Sequence, residues 1–365
     1  MRALVLHGNL QYAEIPKAEI PRVIERAYTP VLSSLMKAEV PFGLNLTGYT
    51  LGLLPPRVIS LVRDGIESGL IEIVGTAYTH AILPLLPLDR VKAQIQRDME
   101  VKGELFGVTP KGFWPPELAY DPIIPAILQD NGYRYLFADG EAMLLSDHLN
   151  SAIKPIRPLY LHLIRAQRGE GNRYLNYLLG LRELKKAINL IFGGKVTLRA
   201  VKDIEAVPVW GAVNTALILG IGRFPLMNPE RTARWIRRKD DILLYGTDIE
   251  FLGYRDLAGY RMDVKGLLEL INEIGGGLCL PSELKHRGRK LYLRTSSWAP
   301  DKGLRIWTED EGNARLNMLT PFTRGESAFL AENSDSRGWE PIPERRLDAF
   351  KAIYRSWRKE DGAPP

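Results

Sequence analysis

The chain has 365 residues, 45% of them hydrophobic, 25% charged and 9% aromatic, which excludes a disordered chain, a coiled coil and a collagen-like fibre. Its 49 basic and 43 acidic residues leave a formal charge of +6. Over so large a surface that bias is mild and gives no reason to expect nucleic acid as a partner.

A single Cys279 excludes an internal disulfide and any multi-cysteine zinc site. The opening run from Met1 to His7 is strand-length, too short for the core of a signal peptide. The longest uncharged apolar stretch, Val209–Ile221, contains Asn214 and stops short of transmembrane length. The expectation is a soluble, cytoplasmic chain with no membrane association.

In chain order, apolar runs at Ala3–His7, Phe42–Leu46, Ile71–Gly75, Phe113–Trp114 and Tyr135–Ala138 predict strands. Between them, Pro21–Lys37, Pro56–Gly69 and Asp89–Phe106 carry apolar residues at helical spacing. Strand alternating with helix predicts βα units around a parallel sheet. Further on, Ile156–Ile164 predicts a strand, Tyr174–Phe192 a helix, and Ala206–Leu217 a strand-like run. Asn228–Lys239 predicts a helix, Asp241–Tyr245 a buried strand, and Val264–Ile274 a helix closed by three glycines. Beyond Leu293 the pattern loosens until Pro343–Arg358, a final amphipathic helix before a frayed tail at Glu360–Pro365. No G-x-G-x-x-G or P-loop pattern is present, so seven or so strands in this order favour a closed or nearly closed barrel over an open sheet.

A barrel of this kind carries its chemistry on loops at the C-terminal ends of its strands. Those loops hold His7, then Thr79-His80, then Trp114-Pro115-Pro116-Glu117, then Thr247-Asp248-Ile249-Glu250. Glu117 follows an aromatic residue and two prolines, which stiffen the backbone as a positioned nucleophile or general acid requires. Asp248 and Glu250 are two apart, so extended backbone would turn both to one side, although an acidic residue after a strand also commonly caps the next helix. His7 and His80 suit substrate hydrogen bonding or a structural role. No His-x-x-x-His pair occurs, and neither a metal nor a cofactor is expected. Trp114, Trp210, Trp298 and Trp307 offer sugar-stacking faces or core packing.

Taken together, His7, the block Thr79-His80-Ala81-Ile82-Leu83-Pro84-Leu85, the block Gly112-Phe113-Trp114-Pro115-Pro116-Glu117 and Thr247-Asp248-Ile249-Glu250 resemble glycoside hydrolase family 57. Ser297-Trp298 to Trp307 is similar to a further, diverged region. The resemblance implies an α/β fold, an incomplete (β/α)7 barrel over residues 1–285, with a mainly helical C-terminal region, residues 286–365, packed on it. It implies a retaining enzyme acting on α-glycosidic bonds without a metal, with Glu117 as nucleophile and Asp248 as general acid/base. His7, His80, Trp114, Glu250 and Trp298 are implied at the substrate.

Two blocks depart from the family's usual form. His7-Gly8-Asn9 stands where the family commonly has His-Gln-Pro, and Thr247-Asp248-Ile249-Glu250 where it commonly has Asp-Asp-Gly-Glu. With the short chain, these departures point to the family's α-galactosidase branch, and the resemblance to a family most familiar from thermophiles implies a heat-stable protein. The alternatives are an α-glucan hydrolase or 4-α-glucanotransferase of the same family, a non-catalytic sugar-binding protein, and a metal-dependent polysaccharide deacetylase, which would need an aspartate and two histidines around one ion. The expected partner is a carbohydrate, an α-galactoside or an α-glucan oligosaccharide. Self-association is left open.

Overall fold

The computed structural model describes residues 1–146, 191–223, 228–245, 247–254, 256–257, 260–338 and 341–358. The strand expected at 156–164, most of the helix expected at 174–192, and the tail lie outside the described residues.

The strands are β1 (Arg2–Gly8), β2 (Phe42–Leu46), β3 (Ile71–Val74), β4 (Gly112–Phe113), β5 (Tyr135–Asp139), β6 (Lys195–Arg199), β7 (Ile204–Val209), β8 (Ile242–Leu244), β9 (Asp256–Leu257), β10 (Tyr260–Arg261), β11 (Leu278–Cys279) and β12 (His286–Tyr292). β1 pairs in parallel with β2, β8 and β11, and β2 pairs with β3. A parallel bridge from Gly75 to Phe113 carries the sheet on to β4, which pairs with β5, and β5 with β7. The ring β1–β2–β3–β4–β5–β7–β8 is an incomplete (β/α)7 barrel: among the described residues no strand pairing joins β7 to β8. β6 runs antiparallel to β7 and pairs with β12, so the strand just past residue 285 extends the barrel sheet.

Side-chain alternation places the site. In β1, Leu4 and Leu6 face the helical layer while Ala3 and Val5 face the barrel interior, so His7 is the last inward residue before the loop. The same period in β5 turns Phe137 inward and Leu136 and Ala138 outward, leaving Asp139 at the inner rim. In β8, Leu243 is inward and Tyr245 follows it to the mouth.

Helices cover the outside. That at Pro56–Glu67 starts on proline and buries Val58, Ile59 and Val62. That at Leu88–Phe106 ends on Gly107, whose φ of 66° gives the left-handed cap. At the end of β3 the backbone passes so close to Tyr133 that a Cβ on Gly75 would lie 2.2 Å from its hydroxyl oxygen.

Two expected elements differ. The run Ala206–Leu217 is β7 followed, from Gly211 to Ile221, by a buried helix. Uniform hydrophobicity hides the change of period, because both elements are enclosed on all sides. The helix at Pro21–Lys37 is interrupted by a π-turn at Ile24–Tyr28, whose wider winding sets Tyr28 inside the core. The C-terminal region is helical, with Glu311–Leu319, Gly325–Glu332 and Pro343–Trp357. Among the described residues no helix is long and apolar enough to cross a membrane.

Candidate active site

The rim residues converge. His7 is buried, and its Nδ1–H donates to Asn45 Oδ1 at 2.6 Å. The Asn45 amide donates in turn to the carbonyls of Val74 and Gly75, which leaves its oxygen as the acceptor and fixes the tautomer of His7. Nε2 is then the accepting nitrogen. Burial, with the nearby ring of His80, outweighs the opposing charge of Asp248 and lowers the His7 pKa, which favours the neutral ring. Its ring lies 5.0 Å from that of His80 and stacks at 6.1 Å on Trp114.

Glu117 sits in a tight turn after β4, with φ of 57°, followed by Leu118 at 47°. The prolines before it set that turn, and the left-handed backbone is strained for residues that carry a side chain. The segment at 296–298 crosses this turn: Tyr120 and Ser296 exchange two backbone hydrogen bonds, and Trp298 N donates to the Glu117 carbonyl at 3.1 Å. The Trp298 indole N–H donates to Glu117 Oε2. On the other carboxylate oxygen stands His80 Nδ1, 3.8 Å from Oε1.

Burial pushes the Glu117 carboxyl up to about 7. His80 and the indole bond pull it down, while the charges of Asp335 and Asp248 raise it further. For His80, burial opposes the charged form, but Asp335, Glu117 and Asp248 outweigh it and raise its pKa.

Asp248 closes the mouth from the β8 side, bridged in parallel to His7 and accepting the Tyr245 hydroxyl at 2.5 Å. It stands before the short 3-10 turn Ile249–Phe251 without a capping hydrogen bond from its side chain. That turn also separates Asp248 from Glu250, correcting the expectation that extended backbone would turn both to one side. Glu250 is fully buried, with Oε1 accepting the Tyr28 hydroxyl at 2.5 Å and the Asn9 N–H at 2.7 Å. Burial, then the charge of Asp248, raise its carboxyl to about 7.

The remaining tryptophans divide. Trp114 is buried among His7, Phe137 and Tyr245. Trp210 and Trp307 belong to the core, the former donating to the Phe192 carbonyl at 3.0 Å.

One residue of the cluster escaped the sequence. Asp335, in the C-terminal region, accepts the Asn9 amide at 2.5 Å and the Ala13 N–H at 2.9 Å, and lies 3.4 Å from His80 Nδ1. It follows no barrel strand, so the strand-end rule did not reach it. The polar segment Asn333-Ser334-Asp335-Ser336-Arg337 is buried at all five positions. Among the described residues, no group of three or more His, Cys, Asp and Glu side chains is arranged to hold a metal ion.

The chain matches a family model described as Glycosyl hydrolase family 57 over residues 4–294. It is 33% identical over 98 residues to a 1,4-alpha-glucan branching enzyme of Thermococcus kodakarensis, covering 22% of this chain and 14% of that protein. It is 27% identical over 124 residues to alpha-amylase 1 of Dictyoglomus thermophilum, covering 33% of this chain and 18% of that protein. These matches span less than a fifth of either relative. Among solved structures, a 4-alpha-glucanotransferase of Thermococcus litoralis superposes with a TM-score of 0.68 at 14% identity, over 98% of this chain and 59% of that one. An alpha-amylase of Thermotoga maritima superposes at 0.60 and 15% identity, over 99% and 92%. At such identities the likeness is one of fold.

Proposed function

Since the chain belongs to glycosyl hydrolase family 57, we propose that it is a retaining enzyme acting on α-glucans, as a hydrolase or a 4-α-glucanotransferase. The observation that carries this reading is the convergence of Glu117 and Asp248 at one barrel mouth, with an indole N–H and His80 on the first and a tyrosine hydroxyl on the second. The names of the matched relatives, a branching enzyme, amylases and a glucanotransferase, support an α-glucan substrate. They lend no support to the α-galactosidase expected from the diverged blocks.

In this reading Glu117 attacks the anomeric carbon while Asp248 gives its proton to the leaving glycosidic oxygen. Water or an acceptor sugar, deprotonated by Asp248, then releases the glycosyl group with its configuration retained. The indole N–H and His80 favour the ionised form of Glu117 that the attack needs. Retention calls for carboxyl groups about 5–5.5 Å apart, whereas inversion calls for roughly 6.5–9.5 Å. Neutral His7 offers Nε2 to a sugar hydroxyl.

The test is product analysis on maltooligosaccharides beside nitrophenyl α-glucoside and α-galactoside, with Glu117→Ala as control. Shortened or redistributed maltooligosaccharides, lost in the control and partly restored by azide as the inverted glycosyl azide, are the expected result. Turnover of the galactoside alone would restore the galactosidase reading. Sugar binding without turnover on any of these substrates would make the protein a non-catalytic binder.

A further inference from the structure

Behind the mouth, at the C-terminal end of β5, lies a cluster of charged residues that the reaction above does not use. Lys302 and Asp139 are both buried, and Lys302 Nζ donates to Asp139 Oδ2 at 2.7 Å. Asp139 Oδ1 accepts the Ala142 N–H at 2.7 Å, at the start of the helix Gly140–Ser146. Glu141, also buried, accepts the N–H groups of Gly211 and Ala212 at the start of the helix that follows β7. The cluster therefore joins two helix starts to two barrel strands.

Lys302 belongs to neither strand nor helix. Its φ is 57°, a conformation that side chains disfavour, and a buried ammonium is costly as well. A lysine that meets both costs is held by what it binds. Besides Asp139, Nζ reaches the carbonyl of Trp298 at 3.4 Å, and the Lys302 N–H closes a turn on Ala299 at 2.7 Å. Within the same loop Ser297 donates to the Gly303 carbonyl and Gly303 N to Asp301 at 3.0 Å. Trp298 is the residue whose indole donates to Glu117.

We infer that the Asp139–Lys302 pair positions the nucleophile indirectly: it ties the loop 297–303 to the end of β5 and so aims the Trp298 indole at Glu117. Both members are positioning residues, without contact to substrate. The inference rests on the reading of Glu117 as the nucleophile. The barrel end and the C-terminal region thus meet in an ion pair that governs one hydrogen bond at the reacting carboxylate. The other groups that act on Glu117 are His80 from the loop after β3, Asp248 and Tyr245 from the β8 side, Tyr12 from the loop after β1, and Asp335. None of them belongs to the loop 297–303, so their influence should survive loss of the pair.

The test reads Glu117 directly, by carboxyl 13C titration of glutamate-labelled protein with Glu117→Gln to assign the signal. The double substitution Asp139→Asn/Lys302→Met removes both charges and leaves no lone buried ion. Losing a hydrogen bond to the charged form raises a carboxyl pKa, so the Glu117 midpoint should rise by about half to one unit. Trp298→Phe should raise it similarly, and the combined variant should go no further. In turnover of the double variant, whose residues do not touch substrate, the acid limb of kcat/KM should move up with the midpoint, while the rate above pH 8 changes less than about threefold. If the double variant does not fold, Lys302→Gln, whose amide N–H still donates to Asp139 Oδ2, should give a smaller shift of the same sign.

An unmoved midpoint in the folded double variant, with Trp298→Phe still shifting it, would make the pair a purely structural tie and overturn the inference. An unmoved midpoint in Trp298→Phe as well would overturn the indole's role too. The titration needs no turnover, so a failure of the proposed reaction is visible separately, as a wild-type protein that titrates as described and processes no glucan.

Discussion

Glu117 sits where an ionised carboxylate is costly. Only 18% of its side chain is exposed, two acidic neighbours repel its charge, and its backbone lies in the left-handed region. A carboxyl raised from 4.5 to about 7 holds its proton more tightly in the folded chain than in the unfolded one. Its contribution to stability is therefore most favourable below pH 4.5 and is lost as the pH rises through 7. A neutral amide escapes that loss. Glu117→Gln should be more stable than the parent at pH 8, by ~1–3 kcal/mol after allowance for exposure, with the gap closing near pH 4. Urea unfolding at the two pH values measures it, and equal midpoints at pH 8 would show that the charge is accommodated without strain. In its proposed role Glu117 is a carboxylate held at a stability cost, the general trade at active sites. The turn that carries this residue was legible in the sequence, because a tryptophan and two prolines follow a strand there. Asp335 was not, because burial of a polar loop is decided by what packs over it.

At the scale of elements, the barrel mouth depends on one helix. Asp98 and Lys102 stand one turn apart on Leu88–Phe106, both buried and 2.6 Å apart. Asp98 accepts Gly48 N at 2.8 Å and Thr76 N at 2.9 Å, and Lys102 donates to the Val74 carbonyl at 2.9 Å. The pair thus fixes the loops after β2 and β3, and Thr76 passes the constraint to the Trp114 carbonyl. Removing one partner of a buried pair strands the other. Asp98→Ala should cost about 3–5 kcal/mol, whereas the near-isosteric double change Asp98→Asn/Lys102→Met should cost less because no charge is left alone. Denaturant unfolding of the three proteins decides it, and a double variant less stable than the single one would mean that the loop hydrogen bonds outweigh the stranded charge. The periodicity that predicts this helix gives no sign that a charged pair lies on its buried face. Likewise β7 and the helix after it merge into one apolar run, since full burial erases the alternation that separates strand from helix. Period is readable where one face meets water, and neither β7 nor the helix after it has such a face.

The whole molecule is closed by the C-terminal region gripping the loop after β1. The Arg345 guanidinium, on the helix Pro343–Trp357, donates to the carbonyls of Leu10 at 3.0 Å, Ile15 at 2.6 Å and Tyr12 at 3.3 Å. Asp335 holds Asn9 and Ala13 in the same loop, and Ile342 N adds a bond to the Ala13 carbonyl at 3.0 Å. On the opposite side Arg90 and Gln94 fasten Glu332, while Arg337 satisfies carbonyls of its own loop. The C-terminal region thus supplies Trp298 and Asp335 to the site and also shapes the β1 loop that faces them. Arg345→Met keeps much of the aliphatic stem but takes the guanidinium donor from the carbonyls of the buried Leu10 and Ile15, while the Tyr12 carbonyl keeps the Ile15 N–H. The expected cost is about 2–4 kcal/mol, from unsatisfied polar groups that the methionine cannot reach. Hydrogen exchange locates the effect: the amides of Gln11, Ala13 and Ile15 should lose protection while those of Leu4 and Leu6 in β1 keep theirs, because the strand is held by β2 and β8. A uniform loss across both groups would mean that the loop and the strand open together, as a single cooperative unit with the C-terminal helix as its clasp.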